Sequence, residues 1–472
     1  MTIITKTINI VWIVNDLYTN NFITIYNECK NDKRFNLTIL ATRHIGLYEA
    51  DDISSNQVYN FFKKNKINCI NSWNKNKGQY VDISSFHPDY IFTSTPYDIY
   101  LPEQYRSDNL KKVAKLCNVE YGAPIIKYSG IYKNFLKKNP FFQNLWTLFT
   151  SSDPDYFKKI PCNYKAIGCL KLDEYLNYQK KPNYPWPDQK SLKIVWKPRW
   201  TLDKKDSNIF KYLDKFYTFI SNNKNINFVF LYHPLLISNL KNKEHFKFFN
   251  QWIKKLNTLS NFRTESSSNF LDCVLSADVL IADHSSTIAE FATTGKPIIY
   301  TRTKVSLNNL GNKIMDTAYK AKNFIEIKNI LNTLQKGKDS LKINREAAKN
   351  SYFTKPPKRL TIAQFLLKIL YDDCYNIKSR KEHEMKLYIL NNEEIQKLES
   401  KNNELSKDLE KNKLKNLEIN EKIKKIEYKN HGLIKQIESK QDQLNKISQK
   451  YSEVVNSRFW KLIKLLILFK KK

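Results

Sequence analysis

The chain has 472 residues and a formal net charge of +33 at pH 7, enough for two or three domains of about 100–200 residues each. Its 41% hydrophobic and 13% aromatic content excludes a disordered polymer, and 9 glycines with 15 prolines exclude collagen-like or proline-rich material. Neither GxGxxG nor GxxxxGK[ST] can be written anywhere, so a bound nucleotide must be held by helix ends and side chains.

The first apolar run, Ile8–Val14, is short and stops at Asn15-Asp16, which fits a buried first strand better than a signal peptide. A helix is expected over Phe22–Lys30, a strand over Leu37–Ala41, and another over Tyr90–Thr93, ending in Ser94-Thr95-Pro96. Strand and helix in alternation predict a parallel α/β sheet over 1–185, the first of two Rossmann-like domains facing a cleft. Pro182, Pro185 and Pro187 mark a linker. The second α/β domain spans 190–378. It has strands at Leu192–Trp196, Ile226–Tyr232, Asp278–Ala282 and Ile298–Tyr300, and helices over about 207–221 and Thr287–Thr293. The fold class is therefore α/β, with a long helical extension.

That extension is predicted as a coiled coil over 385–456. With Ile395 at a, the a positions include Ile395, Leu409, Ile423, Ile437 and Leu444, alternating with Asn402, Asn416 and Asn430. The d positions include Leu398, Leu405, Ile419, Ile426, Leu433 and Ile447. Facing Asn pairs favour a parallel homodimer over a helix folded back on the body. Residues 457–472 join an apolar run, Phe459 to Phe469, to Lys470-Lys471-Lys472. The run is too short to span a bilayer and suits a helix lying on an anionic membrane surface. The competing reading is a helix that docks on the body.

Seven scattered cysteines without a CxxC pair read as reduced thiols in a cytosolic compartment. The positive charge points to polyanionic company: nucleic acid, anionic lipid or phosphate-bearing substrates. Overuse of Lys, Asn and Ile is a blander source of the same charge. Residues 380–472 carry 23 basic and 14 acidic side chains, so most of the surplus lies on the globular part. Aromatic-and-basic nucleic-acid motifs are not visible, and nucleic acid is not an expected partner.

Three segments share one grammar, an apolar strand running into unusual polar residues. They are Ile194-Val195-Trp196 into Lys197-Pro198-Arg199, Phe228–Tyr232 into His233-Pro234, and Val279–Ala282 into Asp283-His284-Ser285-Ser286. In open α/β sheets ligands bind outside the carboxyl ends of strands, which puts all three groups on one rim. Ser285 and Ser286 open a helix, a seat for phosphate or simply a cap. Glu290, one turn on, could accept from ribose hydroxyls. Lys197 and Arg199 supply cations to a diphosphate, and His233 a proton to a phosphate or leaving group. Asp153-Pro154-Asp155 reads as a turn rather than a metal site. HExxH, GxSxG and metal-spaced His clusters are absent, so no metal or cofactor is expected.

On these residues the chain resembles the CDP-glycerol glycerophosphotransferases, the teichoic-acid-type polymerases and primases of GT-B fold. The likeness covers most of 1–350. It rests on Ala277–Ser286 with Gly295-Lys296-Pro297, on His233-Pro234 and on Lys197-Pro198-Arg199-Trp200, with further likeness in Pro88–Phe92, Gly168–Asp173 and Asn309–Ile314. Asn456-Ser457-Arg458-Phe459-Trp460 and the residues after it are similar to the tail of several bacterial surface-polysaccharide transferases. The resemblance implies a CDP-linked donor held by the second domain at Lys197, Arg199, His233, Asp283, Ser285, Ser286 and Glu290. It also implies a lipid-linked or polysaccharide acceptor held by the first. A glycerol-phosphate-like unit would pass to a hydroxyl at the cytoplasmic face of the membrane, without a required metal. Well-studied members carry His-Gly-Thr-Pro, with the His as base; here the match is Tyr121-Gly122-Ala123-Pro124. An ordinary tyrosine is a poor base at neutral pH. Asp16 and Asp98 are the replacements expected, ahead of His44 and His87. The alternatives are a GT-B glycosyltransferase using a nucleotide sugar and a non-enzymatic coiled-coil scaffold.

Overall fold

The computed structural model describes residues 7–17, 21–45, 56–127, 138–152, 161–202, 207–240, 245–266, 270–301, 304–375 and 377–469. Asp153-Pro154-Asp155 and Lys470-Lys471-Lys472 lie outside them. By its internal contacts the chain forms one unit over Met1–His383 and a second over Glu384–Lys472.

The first sheet is built from β1 (Ile8–Val14), β2 (Phe35–Ala41), β3 (Ile70–Asn71), β6 (Tyr90–Thr93), β7 (Lys115–Val119), β8 (Thr147–Thr150) and β9 (Asn163–Ala166). A small hairpin, β4 (Trp73–Asn74) with β5 (Gln79–Tyr80), lies between β3 and β6 in the chain. The strand order is β3-β2-β1-β6-β7-β8-β9, parallel throughout. The second sheet holds β10 (Leu192–Lys197), β11 (Ile226–Leu231), β12 (Phe262–Glu265), β13 (Val279–Ala282), β14 (Ile298–Tyr300) and β15 (Tyr319–Lys320), in the order β12-β11-β10-β13-β14-β15. It too is parallel. In each sheet the chain winds outward from a central strand, β1 or β10, and then reverses. The reversal opens a crevice beside the carboxyl end of that strand.

Both central strands are near-continuous apolar runs because helices cover both faces. Trp12 in β1 and Trp196 in β10 are each fully buried. Trp12 stacks on Phe92, and Trp196 packs against Phe216, Phe230 and Trp252. The helix Ile209–Asn222 covers one side of the second sheet through Tyr212, Leu213, Phe216, Phe219 and Ile220.

The expected strands at Ile8–Val14, Tyr90–Thr93 and Ile298–Tyr300 coincide with those observed. Strands β7, β8, β9, β12 and β15 carry weaker patterns. β9, Asn-Tyr-Lys-Ala, is an edge strand with alternating exposure, so its text lacks an apolar run. The proline-rich stretch is not a loose tether. Trp186 is buried with its indole N–H donating to Ser276 Oγ at 2.9 Å, and the Asn183 amide donates to Asp272. The helix Ile362–Tyr375, assigned from the sequence to the second domain, packs in the core of the first sheet through Ile362, Ala363, Leu366, Leu367 and Leu370. Asp173 receives the first two amides of that helix, from Ile362 and Ala363, while Tyr90 and Lys115 both donate to Asp373 at its far end. Those bonds join residues far apart in the chain, so local text cannot reveal them.

The helix Ile377–Asn456, most of it in the second unit, runs for 80 residues, about 120 Å at 1.5 Å per residue. It breaks at Ser457, whose hydroxyl donates to Val454 O, and Arg458–Phe469 forms a separate helix. Heptad residues such as Leu398, Leu405, Ile426 and Leu444 are exposed along the long helix, as are Phe459, Leu462 and Leu466 on the short one. No helix among the described residues is long and apolar enough to cross a membrane.

Candidate active site

Sheet register sets the site. Lys197, the last residue of β10, is level with Ala282, the last of β13, across the point where strand order reverses. Trp196 is level with Phe230, so His233 begins the turn just past the end of β11. The three polar segments therefore leave the sheet side by side.

Lys197 is buried, and among the described residues no hydrogen bond or ion pair engages its ammonium. Burial pushes it down to about 7; Arg199 and Lys171 push the same way, and Glu290 opposes them. His233 lies in the same field. Burial, then the cations of Lys197, Arg199 and Lys171, push its imidazole down to about 3. Its Nδ1 accepts the Leu235 amide at 3.1 Å, so a neutral ring carries its proton on Nε2, and that edge is a donor. Trp200 lies 5.8 Å from the ring. His284 is also buried, and burial and Arg199 push it down to about 4.

Asp283 does something else. It is 1% exposed, and its oxygens accept the Arg199 amide (3.1 Å), the Asn208 amide (3.0 Å), the Asn208 side chain (3.0 Å) and the Thr301 hydroxyl. It ties the loop after β10 to the next helix and to the end of β14. It thus shapes the rim from within the protein, although the sequence reading placed it on the donor. Ser285 caps the helix Ser286–Ala292, accepting the Thr287 amide at 3.3 Å from an extended backbone. Ser285 and Ser286 are half-buried. Gly295 turns with φ +71°, and Lys296 donates to the carbonyls of Leu275 and Ala277. Gly-Lys-Pro is therefore a structural turn and cap.

Glu290 is fully buried. Its Oε1 accepts from Lys171 Nζ at 2.9 Å, and its Oε2 has no hydrogen-bond partner among the described residues. Lys171 belongs to the turn Leu170–Leu172, on the first-sheet side, and was absent from the expected site. Its signal was its place inside Gly168–Asp173, a segment of family likeness. Gly122 supplies a second first-half contact: a Cβ there would meet Ser286 Oγ at 2.8 Å. Only glycine lets the Tyr121-Gly122-Ala123-Pro124 loop approach so closely. The loop continues along the second half, where Asn308 donates to the Pro124 carbonyl and Lys127 to that of Ser306.

The candidate bases sit on the first sheet. Asp16 follows β1 at that sheet's reversal point and is 9% exposed; next to it, Asn15 accepts from the Ser94 hydroxyl. Asp98 instead receives the Ser107 amide at 2.7 Å and its hydroxyl at 2.6 Å, anchoring the turn Ser107–Leu110. His44 stacks on Tyr100, and burial pushes it down to about 4. His87 closes the turn Ile83–Phe86 with a left-handed backbone.

The rim thus gathers Lys171, Lys197 and Arg199 around Glu290. Cations taken out of water without matching anions are unfavourable, and an entering dianion relieves that imbalance. A proton should follow. Lys197, with its pKa near 7, is mostly neutral above that pH, and a bound diphosphate favours its ammonium form. Binding at about pH 7.5 should therefore take up a proton, and affinity should fall as pH rises above about 7. Calorimetry of CDP binding in buffers of different ionisation enthalpy measures this; an uptake of zero contradicts it.

Residues 167–306 match the family model of CDP-glycerol:poly(glycerophosphate) glycerophosphotransferase. No curated protein matches the sequence. Among solved structures, a putative UDP-N-acetylglucosamine 2-epimerase from Listeria monocytogenes superposes with TM-score 0.50 at 11% identity, covering 79% of this chain and 97% of that one. That likeness shows a shared fold. The wall teichoic acid polymerase TagF superposes with TM-score 0.48 at 14% identity over 78% of this chain and 89% of that one. The matched family segment contains Lys171, Lys197, Arg199, His233, Asp283, Ser285, Ser286 and Glu290, and over that segment the chain is similar to the CDP-glycerol glycerophosphotransferases.

Proposed function

We propose that the protein transfers a glycerol-phosphate-like (polyol phosphate) unit from a CDP-activated donor to a hydroxyl of a surface polysaccharide or lipid-linked acceptor. The observation that carries this is the buried Lys197, its ammonium without a partner among the described residues, beside Lys171, Arg199 and His233 at the sheet's reversal point. The acceptor oxygen attacks the phosphorus bearing the alcohol. The bond from that phosphorus to the bridging oxygen breaks, and CMP leaves with the bridging electrons. Lys197, Arg199 and the Nε2–H edge of His233 neutralise the departing phosphate, which is where this chemistry needs charge. Asp16, at the first sheet's reversal point, takes the hydroxyl proton; Asp98 is held by Ser107.

The full chain should release CMP from CDP-glycerol in the presence of a polyol-phosphate or lipid-linked acceptor. Release of UDP or UMP from nucleotide sugars with no CMP from CDP-glycerol would sink the reading in favour of a glycosyltransferase. No turnover and no nucleotide binding would favour the scaffold.

The helical unit supports a peripheral place on the cytoplasmic face of the membrane. A second copy covers the exposed heptad stripe in a parallel coiled coil. Asn402, Asn416 and Asn430 then meet their counterparts, and Asp408 and Lys422 face Lys413 and Glu427 of the other copy. The Arg458–Phe469 helix lays its exposed apolar residues into an anionic leaflet. Deleting 391–472 should convert dimers to monomers in light scattering, and deleting 459–472 should release the protein from phosphatidylglycerol vesicles. An unchanged mass, or unchanged vesicle binding, contradicts the respective assignment.

A further inference from the structure

One carboxylate sits in a contradictory position. Glu290 is fully buried on a helix of the second half, yet one oxygen has no partner among the described residues. Its other oxygen is held from the first half. Lys171 is itself nearly buried, with its ammonium 4.5 Å from the centre of the Phe270 ring. The turn that carries it is fixed on both sides. Ile167 and Leu170 pack in the first sheet's core, while Asp173 binds the start of the helix Ile362–Tyr375. Lys171 is thus a rigidly mounted cation from one half, reaching the donor-side carboxylate of the other.

We propose that Lys171 is a positioning residue for the donor site: it holds the Glu290 carboxylate in place, and it carries first-half charge to the diphosphate seat. This rests on the reading of the site as a CDP-donor seat. Three consequences follow physically. Without the ammonium, Oε1 of the buried Glu290 loses the charge-assisted hydrogen bond that fixes its carboxylate. A Glu290 carboxylate that is no longer held is a poorer acceptor for a donor hydroxyl, whether that hydroxyl belongs to the nucleotide's ribose or to its glycerol. The cationic field on His233 and Lys197 also weakens, because Lys171 acts on both.

The groups facing His233 are Lys197, Arg199 and Lys171, with Glu290 opposing them at Lys197. Lys171→Met in the full chain removes one of these cations, and Lys171→Arg preserves the charge. The first measurement needs no ligand: the His233 imidazole is titrated by NMR, its signal assigned with His233→Gln. The Met variant should raise the His233 pKa, and the Arg variant should restore the wild-type value. An unmoved titration in the Met variant overturns the proposal, as does an equal shift in both variants, which would report distortion of the fold. The second measurement is affinity for CDP-glycerol, CMP and 2′-deoxy-CMP by calorimetry. Affinity for CDP-glycerol should drop at least tenfold in Lys171→Met and recover in Lys171→Arg. A smaller loss for 2′-deoxy-CMP than for CMP places the Glu290 hydroxyl contact on the ribose; equal losses place it on the glycerol. A wild-type chain that binds none of the three defeats the donor reading, while the His233 titration still decides whether Lys171 acts on the site.

Discussion

Lys197→Ala is expected to lower kcat/KM for the CDP-linked donor by about 10²–10³-fold, the scale seen when one preorganised charge-stabilising group is removed. Lys197 is buried at the central strand end where the sheet reverses, and its ammonium has no partner among the described residues. Its contribution should grow as charge moves onto the departing CMP, so kcat should fall more than KM rises. Lys197→Arg should recover little, because a planar guanidinium spreads its charge and donors differently from a compact ammonium. The Lys197 ammonium has no hydrogen bond or ion pair to lose among the described residues, so the Ala variant should melt close to wild type. Steady-state CMP release and thermal melting, measured on the same preparations, check both halves. Loss of activity together with a large drop in Tm would contradict the assignment.

Asp283→Ala is expected to do the reverse and act first on stability. Its carboxylate accepts two backbone amides, an Asn208 side-chain N–H and the Thr301 hydroxyl, all inside the protein. Truncation leaves the Arg199 and Asn208 amides buried without partners. Breaking such a charged, hydrogen-bonded group costs about 3–5 kcal/mol. Urea titration of the full chain should show the second sheet losing that stability, with donor affinity falling because the Arg199 loop loses its anchor. A normal denaturation midpoint with weakened donor binding would instead make Asp283 a direct ligand group.

The contrast between these two residues marks the reach of sequence reading. Lys197 and Asp283 look alike in the text: each is a charged residue at the end of an apolar strand. Their roles separate only when partners from Asn208 and Thr301 arrive at one of them and not the other. Ser285 and Gly295 were more legible, because a cap and a left-handed turn are local events set by neighbouring residues. Gly122 stands in the Tyr121-Gly122-Ala123-Pro124 segment, but its necessity comes from Ser286, 164 positions along the chain.

From its own text the chain determined the alternation of strand and helix, the shared rim of three strand ends, the long heptad helix and the short apolar tail. Each of these is written in periodicities of two to seven residues, which need no partner to be read. The tertiary structure alone decided that Lys171 meets Glu290 across 119 residues, that the Ile362–Tyr375 helix returns to the first core, and that Asp283 is bound within the scaffold. Those are contacts between segments that only packing brings together. Burial then sets their charge states, through the loss of water around Lys197 and His233.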